Sequence, residues 1–421
     1  MCRTLFLVGL TTVACIVAAQ HARAQDGPRP GTLKKIDREK GTVTIAFADK
    51  EQEFKIAEQT RLMDAEFKPI AARLSDERLK PGTAIMFRRL DSDPNTLLGL
   101  KLGGPAGRPG NASAGGQARP VAKVDTSAFK PLPELGRDEY HGFQGGLYPD
   151  GKNDRPADHE AAGLNLASRV QPLDEEGKPD ANGRIVLLTV GMSNTAQASE
   201  AFKRLADGDP QKNPQLVIVN GAQGGMTADR IADPDDGGAG QKYWSTVDER
   251  LKAAGVSRAQ VQAVWIKQAE AAPNQGFPKY AEKLQRDLAR NVRILPERFP
   301  NVKLCYLSPR TYGGYAKTPL NPEPYAYESG FSVKWLIERQ LGGEADLNFD
   351  LARGPVKAPW LSWGAYLWAN GTKANADGLS YAEADFAQDG THESPSGQPK
   401  VGGQLLKFFK SDSTTTPWFL R

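Results

Sequence analysis

Three side chains with the chemistry for nucleophilic catalysis lie in two short stretches that are roughly two hundred residues apart. Ser193 lies in GMSNT (191–195), and Asp389 and His392 lie in DGTHESPSG (389–397). A serine hydroxyl attacks a carbonyl carbon when an imidazole removes its proton and a carboxylate orients that imidazole. Asp389 is placed to accept from Nδ1 of His392, which leaves Nε2 free to face a serine. We therefore predict that the two stretches meet in one site.

Each motif on its own also fits an ordinary turn. A serine between a strand and a helix is commonly a helix N-cap, and a D-x-x-H sequence is common in surface loops. The position of His392 favours the catalytic interpretation, because its D-x-x-H sequence comes just before the last predicted helix. His141 and His159 are interpreted as structural residues.

The segments around Ser193 have the pattern of an α/β domain. Four short and almost entirely apolar runs have the composition of strands buried on both faces: RIVLLTV (184–190), QLVIVN (215–220), VQAVWI (261–266) and VKLCYL (302–307). Helical patterns at 243–254 and 279–298 alternate with these runs, which indicates a parallel sheet flanked by helices on both faces. Ser193 follows the first run, so we expect it at the carboxyl edge of the sheet, where such folds bind ligands.

A final helix is predicted after the D-x-x-H sequence. Ser394 is its expected N-cap, and Pro395 occupies the first helical position. Val401, Leu405 and Phe408 follow at helical spacing and define its apolar face.

The first part of the chain predicts an export signal. Residues 1–24 contain Arg3, an apolar core from Leu5 to Ala19 and an A-x-A cleavage site, which is typical of a signal peptide. We therefore expect a secreted or periplasmic protein with no membrane span after cleavage. Only Cys305 remains beyond this leader, so no internal disulfide is expected.

Between the leader and the α/β domain we predict a separate small module. Residues 26–103 alternate apolar and polar positions in short runs, which indicates a small all-β domain. The pattern resembles the small β-barrel domains attached to many exported bacterial proteins. Residues 104–120 have the Gly, Pro and Ala bias of a flexible linker. The α/β domain then covers 121–421.

Charge and residue spacing argue against several classes of binding partner and cofactor. The 421 residues carry a formal charge of +4, which falls to +2 without Arg3 and Arg23 of the leader. This balance lacks the basic excess of a nucleic-acid-binding protein. No histidine pair has metal-ligand spacing, and the glycines of NGAQGG lack the nucleotide fingerprint, so no cofactor and no metal are expected. The sequence does not indicate an oligomeric state.

Several stretches together resemble the SGNH hydrolases, also called GDSL esterases. In that family a serine follows the first strand, a glycine follows the second, an asparagine follows the third, and a D-x-x-H pair precedes the final helix. GMSN, NGAQGGMTADRI and DGTH resemble three of these blocks. The resemblance implies a flavodoxin-like three-layer fold, with Ser193 as nucleophile and Asp389 and His392 as its partners. It also implies that the backbone N–H groups of Ser193 and Gly224 bind the oxyanion.

Two positions depart from the family pattern. Met192 stands where an aspartate commonly precedes the serine. After the third strand, WIKQAEAAPN replaces the usual G-x-N-D and faintly resembles the sialate-esterase-like, carbohydrate-esterase branch. The resemblance makes Gln268 the candidate for the side-chain oxyanion donor, with Glu270 and Asn274 as alternatives.

Candidate substrate contacts lie beside the nucleophile and in an aromatic segment. Asn194 follows Ser193, and Trp363, Tyr366 and Trp368 are concentrated upstream of the D-x-x-H sequence. Aromatic rings near a hydrolase site suit the apolar faces of sugars. Packing of the same rings in the core is the alternative.

The sequence therefore favours a secreted serine esterase that removes acyl groups, in particular acetyl, from carbohydrates. Its partner would be an acylated carbohydrate or small ester. A non-catalytic glycan-binding protein on a degenerate hydrolase scaffold remains an alternative, since fold does not imply activity. The same residues also permit acyl transfer to another sugar.

Overall fold

The computed structural model describes residues 29–47, 50–64, 69–90, 93–103 and 123–421. The chain divides into two compact units between Gln117 and Ala118. The leader and the linker predicted from the sequence lie outside the described residues. None of the helices in the described ranges is long and apolar enough to cross a membrane.

The N-terminal unit is a small β-barrel-like sheet. Its strands within the described residues are β1 (Arg29–Asp37), β2 (Thr42–Phe47), β3 (Lys50–Lys55), β4 (Arg61–Met63), β5 (Ala84–Leu90) and β6 (Asp93–Leu102). The strand order is β3-β2-β1-β5-β6-β4, and a further pairing of β3 with β6 closes the sheet. Val43, Ile45 and Phe47 alternate with more exposed residues on β2 and enter one apolar core, which accounts for the alternating sequence pattern.

The C-terminal unit is an α/β domain. Its strands are β7 (Glu139–Tyr140), β8 (Phe143–Gln144), β9 (Ile185–Gly191), β10 (Leu216–Asn220), β11 (Val261–Lys267), β12 (Leu304–Leu307) and β13 (Trp360–Trp363). Its helices are α1 (Leu132–Leu135), α2 (Ala157–Ala167), α3 (Ser193–Asp207), α4 (Ala239–Ala253), α5 (Lys279–Arg298), α6 (Tyr325–Leu341), α7 (Gly397–Ser411) and α8 (Thr416–Phe419).

A five-stranded parallel sheet forms the centre of this domain. Its order is β10-β9-β11-β12-β13. β9, the first of these strands along the chain, therefore lies inside the sheet, and β10, the second, lies at its edge. The four apolar runs form β9 to β12, as predicted. The fifth strand, β13, was not predicted, because its four residues lie within a segment rich in aromatic residues.

Apolar side chains from both faces of the sheet form two cores. Val186, Leu188 and Val190 of β9 pack on one face with residues of α4, α5 and α6. Ile185 and Leu187 pack on the other face with residues of α3 and α7. Both faces of β9 are therefore covered, which explains its uninterrupted apolar sequence. Cys305 on β12 is also buried, and burial raises the pKa of its thiol.

The last helix begins later than the sequence predicted. α7 spans Gly397–Ser411, so Pro395 lies just before it. Ser394 nevertheless makes the contacts of the predicted capping residue, because its Oγ atom accepts from the Gly397 N–H over 3.3 Å and its carbonyl accepts from the Gln398 N–H over 2.9 Å. The buried aromatic residue of its apolar face is Phe409, while Phe408 is only partly buried.

Candidate active site

Ser193 is the first residue of α3 and lies two positions beyond Gly191, the last residue of strand β9. Gly191 ends this strand, and a Cβ atom there would lie 2.3 Å from the carbonyl oxygen of Lys267 and 2.5 Å from Oγ1 of Thr195. Only glycine fits such a close approach. The first turn of α3 is therefore held against the end of β11, with Ser193 at the carboxyl edge of the sheet.

The two stretches that contain the predicted triad residues meet at this edge. The Oγ atom of Ser193 lies 2.6 Å from Nε2 of His392, and Nδ1 of His392 lies 2.5 Å from Oδ2 of Asp389. The backbone N–H groups of Thr391 and His392 donate to Oδ1 of Asp389 over 2.9 and 3.0 Å. Both carboxylate oxygens of Asp389 are therefore engaged within its own loop.

The surroundings of Asp389 favour the ionised form of its side chain. Partial burial opposes its ionisation, but the hydrogen bonds from the His392 ring and from the two backbone amides together hold its pKa below the ordinary value. The side chains of His392 and Asp389 are 25% and 31% exposed, so the pair is accessible from solvent. An ionised Asp389 accepts from Nδ1 of His392 and leaves Nε2 to accept from Ser193.

Gly224 lies beside Ser193 in the loop after β10. A Cβ atom on Gly224 would lie 3.8 Å from Cβ of Ser193. The preceding residue, Gln223, donates its backbone N–H to the carbonyl of Gly191 over 3.0 Å, which ties this loop to the end of β9. Among the described residues, no group accepts a hydrogen bond from the Gly224 N–H.

Gln268 follows β11 and is 3% exposed. Its Nε2 atom donates to the carbonyl of Met226 over 3.1 Å, and its Oε1 atom accepts from the backbone N–H of Ala269 over 3.3 Å. The Ala228 N–H also donates to the Ala269 carbonyl over 3.1 Å. These contacts attach the residue to the loop that contains Gly224.

The two alternatives to Gln268 lie in different surroundings. Asn274 is exposed. Glu270 is buried, and Nζ of Lys283 lies 3.1 Å from its Oε2 atom. Burial and the neighbouring Asp229 carboxylate raise the pKa of Glu270 to about 8, although the Lys283 ammonium acts in the opposite direction.

The aromatic candidates for substrate binding all lie in the interior. Trp363, Tyr366 and Trp368 are 3%, 5% and 0% exposed. The indole N–H groups of Trp363 and Trp368 donate to the Leu147 carbonyl over 2.6 Å and to the Glu323 carboxylate over 2.8 Å. These placements favour the packing alternative.

The hydroxyl of Tyr366 accepts from the Leu132 N–H over 2.9 Å, so its polar atom is also engaged inside the domain. Trp363 and Tyr366 line a cleft of about 590 Å³, and the described residues that line this cleft include none of the predicted triad. Asn194 is 1% exposed, so the structure places it behind Ser193 rather than at the surface.

Sequence reasoning missed a group of buried charged residues at the same edge: Lys267, Arg310 and Glu393. Arg310 donates to Asn194, and Lys267 donates to Glu393, the residue after His392. Each residue type is ordinary in its own segment, and only the fold brings the three together. The single sequence signal was the position of Glu393 directly after the D-x-x-H motif.

The other two histidines have separate surroundings. His141 is exposed, whereas His159 is buried and stacks on Trp360. The Nε2 atom of His159 lies 2.8 Å from the carbonyl oxygen of Leu361, and burial lowers the pKa of this ring. These contacts fit the structural role predicted for His159.

Comparisons with known proteins identify structural similarities alone. No protein-family model and no curated protein matches the chain. A lipase from a goat rumen metagenome is 12% identical over 52% of this chain and 95% of its own, with a TM-score of 0.31. The periplasmic domain of a lipopolysaccharide acetyltransferase from Salmonella ser. Paratyphi A is 10% identical over 59% and 94% of the two chains, with a TM-score of 0.30.

A third solved structure matches a smaller share of the chain. Silver-bound CusF is 22% identical over 19% of this chain and all of its own, with a TM-score of 0.13. At these TM-scores none of the similarities assigns a function or a family to the chain.

Proposed function

We propose that this protein is an exported serine esterase of the SGNH type that removes acyl groups, in particular acetyl, from carbohydrates. The observation that carries the proposal is the continuous hydrogen-bonded chain from Ser193 through His392 to Asp389. Such a chain activates a serine that is otherwise a weak nucleophile. The order of the parallel strands, which corresponds to 2-1-3-4-5, is the flavodoxin-like order and supports the fold part of the proposal.

The triad geometry supports a two-step mechanism. His392 Nε2 takes the proton as Ser193 Oγ attacks the ester carbonyl, and the bond to the leaving alcohol breaks as His392 returns the proton to it. Water then attacks the acyl-enzyme by the same route and releases the acid. Asp389 holds the imidazole in the required tautomer and stabilises the imidazolium that forms.

We propose that two backbone N–H groups bind the oxyanion of the tetrahedral intermediate. Ser193 is the first residue of a 15-residue helix, so its N–H has no partner within the helix, and the helix dipole favours negative charge at this end. The Gly224 N–H is the second candidate, because Gly224 lies against Ser193. Gln268 remains a proposed third donor, and its contact with Met226 also supports the position of the Gly224 loop.

The substrate class rests on sequence resemblance rather than on the aromatic segment. WIKQAEAAPN after the third strand resembles the sialate-esterase-like branch, whose members act on acylated sugars. The exported location rests on residues 1–24. The β-barrel-like unit within 26–103, with the linker at 104–120, is proposed as an accessory module.

Hydrolysis of 4-nitrophenyl acetate by the exported form tests the proposal. Ser193→Ala and His392→Ala, prepared identically, are expected to lose at least about 10³-fold in kcat with unchanged melting temperatures. Acetylated mono- and polysaccharides are then compared as substrates, with and without competing sugar acceptors, to separate hydrolysis from acyl transfer. Turnover that persists in Ser193→Ala would exclude the triad.

A further inference from the structure

The residues that follow Ser193 and His392 in the sequence enter one buried network of charged side chains. Asn194 and Glu393 are each 1% exposed. Asn194 lies in the first turn of α3, whereas Glu393 lies in the loop that leads to α7. Each is one residue from a member of the triad, so a movement of either also moves its catalytic neighbour.

Arg310 fixes the first of these two residues. It lies in the loop after β12, is 2% exposed, and its Nη1 atom donates to Oδ1 of Asn194 over 2.5 Å. Its own backbone N–H donates to Oγ of Ser329 over 2.9 Å, which attaches the Arg310 backbone to α6. Burial lowers the pKa of the guanidinium, but an arginine keeps its proton at neutral pH.

Lys267 and Thr311 fix the second residue. Nζ of Lys267 donates to Oε1 of Glu393 over 3.3 Å, and the hydroxyl of Thr311 donates to the same atom over 3.2 Å. The side chains of Lys267 and Glu393 are both fully buried. Burial lowers the pKa of Lys267 to about 8, and the Glu393 carboxylate opposes this shift. Arg310, next to Thr311 in the chain, is also stabilised as a cation by Glu393.

Fold stability does not explain this arrangement. A buried ion pair loses hydration, and an apolar replacement of similar volume is often equally stable or more stable. Within the described residues, Nε of Arg310, Nδ2 of Asn194 and Oε2 of Glu393 also lack a hydrogen-bond partner. Such groups are costly in a protein interior. The network does, however, connect four segments: the first turn of α3, the end of β11, the loop after β12 and the loop that contains His392.

We propose that Arg310 is a positioning residue, which, together with Lys267 and Glu393, holds the first turn of α3 and the His392 loop in the register that Ser193 and His392 require. Arg310 acts through Asn194, and the Lys267–Glu393 pair acts on the His392 side. The inference rests on the proposed function, because it concerns the reactivity of Ser193. It assigns Asn194 to the support of the nucleophile instead of to substrate contact.

The rate at which a fluorophosphonate labels Ser193, followed by intact mass, tests the inference without a known substrate. Arg310→Met and Asn194→Ala are each expected to slow labelling by roughly tenfold or more, because small displacements of reacting groups are costly. The double variant should be no slower than the slower single variant, since both changes remove one contact. With 4-nitrophenyl acetate the same variants should lower kcat and leave KM unchanged.

Arg298→Met is the matched control. Arg298 lies in the last turn of α5, is paired with Asp248 over 2.7 Å and is largely buried, but it contacts none of the network residues. Its replacement is expected to lower the melting temperature and to leave the labelling rate unchanged. Arg310→Lys keeps the cation and should recover part of the rate, which a loss of packing alone would not explain.

The outcomes separate the two proposals. Labelling of Arg310→Met at the wild-type rate, or a double variant that loses the product of the two single effects, would overturn the positioning role while the esterase proposal stands. A wild-type protein that is not labelled at Ser193 would overturn both. If Arg310→Met does not fold, Asn194→Ala and Arg310→Lys test the same contact from its two ends. Labelling at the wild-type rate in both of these variants would again overturn the positioning role.

Discussion

The Oγ atom of Ser193 lies 2.6 Å from Nε2 of His392, although 199 residues separate them in the chain. The contact depends on the parallel sheet. Ser193 follows the carboxyl end of β9, and the His392 loop, which precedes α7, lies at the same edge of the sheet. Gly191 allows the close approach of α3 to β11, and the Asp389 loop sets the direction of the imidazole. The contact between the hydroxyl and the ring thus requires three features together: the position of β9 in the sheet, the glycine at 191 and the conformation of the Asp389 loop.

Replacement of Asp389 by Asn tests the contribution of the carboxylate to this contact. The amide is nearly isosteric, but it cannot stabilise the imidazolium and favours the wrong ring tautomer, so kcat should fall by roughly 10²- to 10⁴-fold. Ester turnover and phosphonate labelling should fall together, with little change in KM. A variant with wild-type kcat would show that His392 does not depend on Asp389.

Local sequence predicted the contacts among Ser193, His392 and Asp389 and four strands of the parallel sheet, because residue types and burial leave signals in short segments. Nucleophilic catalysis restricts the residue types, and burial on both faces leaves β9 without a polar side. The Arg310 network could not be predicted, since its members come from separate segments and none forms a motif. The aromatic segment showed a second limit, because its composition does not reveal whether a ring such as Trp368 faces a pocket or the core.

Gly224 offers a direct test of the oxyanion donor. Gly224→Pro removes the backbone N–H and should lower kcat by on the order of 10²-fold. Gly224→Ala is the matched control, because it keeps the N–H and places its Cβ at an ordinary contact distance of 3.8 Å from Ser193. Equal losses in the two variants, measured with 4-nitrophenyl acetate, would argue against a role for this N–H.

Gln268→Met tests the attachment of the Gly224 loop. The change preserves the approximate volume but removes the donor to the Met226 carbonyl, so the loop should open more often. We expect faster amide hydrogen exchange at residues 222–228 together with a lower kcat. Unchanged exchange with a reduced kcat would instead favour direct contact between the Gln268 amide and the oxyanion.

Trp368→Phe tests the interior role of the aromatic segment. Glu323 is buried and accepts from the Trp368 indole, and burial raises the pKa of this carboxyl. Loss of the indole N–H should lower the free energy of unfolding by about 1–3 kcal/mol. KM for acetylated sugars should be unchanged. A raised KM without loss of stability would return Trp368 to the substrate site.

Glu270 should make stability dependent on pH. Its pKa is about 8 in the folded protein, well above its ordinary value, because of burial and the nearby Asp229 carboxylate. The folded protein therefore keeps a proton that the unfolded chain loses. The contribution of Glu270 to the free energy of unfolding is fully present below its ordinary pKa of about 4.3. This contribution is lost as the pH rises through about 8.

Glu270→Gln should remove this dependence, because the amide is neutral at every pH. The difference between wild type and variant in free energy of unfolding should change by on the order of a few kcal/mol between pH 4 and pH 9, with the wild type losing relative stability. Urea unfolding at constant ionic strength measures it, with the exposed Glu282→Gln on α5 as control. Parallel profiles for wild type and Glu270→Gln would mean that Glu270 is ionised in the folded protein and balanced by Lys283, which lies 3.1 Å away. The segment that holds the Gly224 loop would then contain an ion pair between Glu270 and Lys283 instead of a protonated Glu270 carboxyl group.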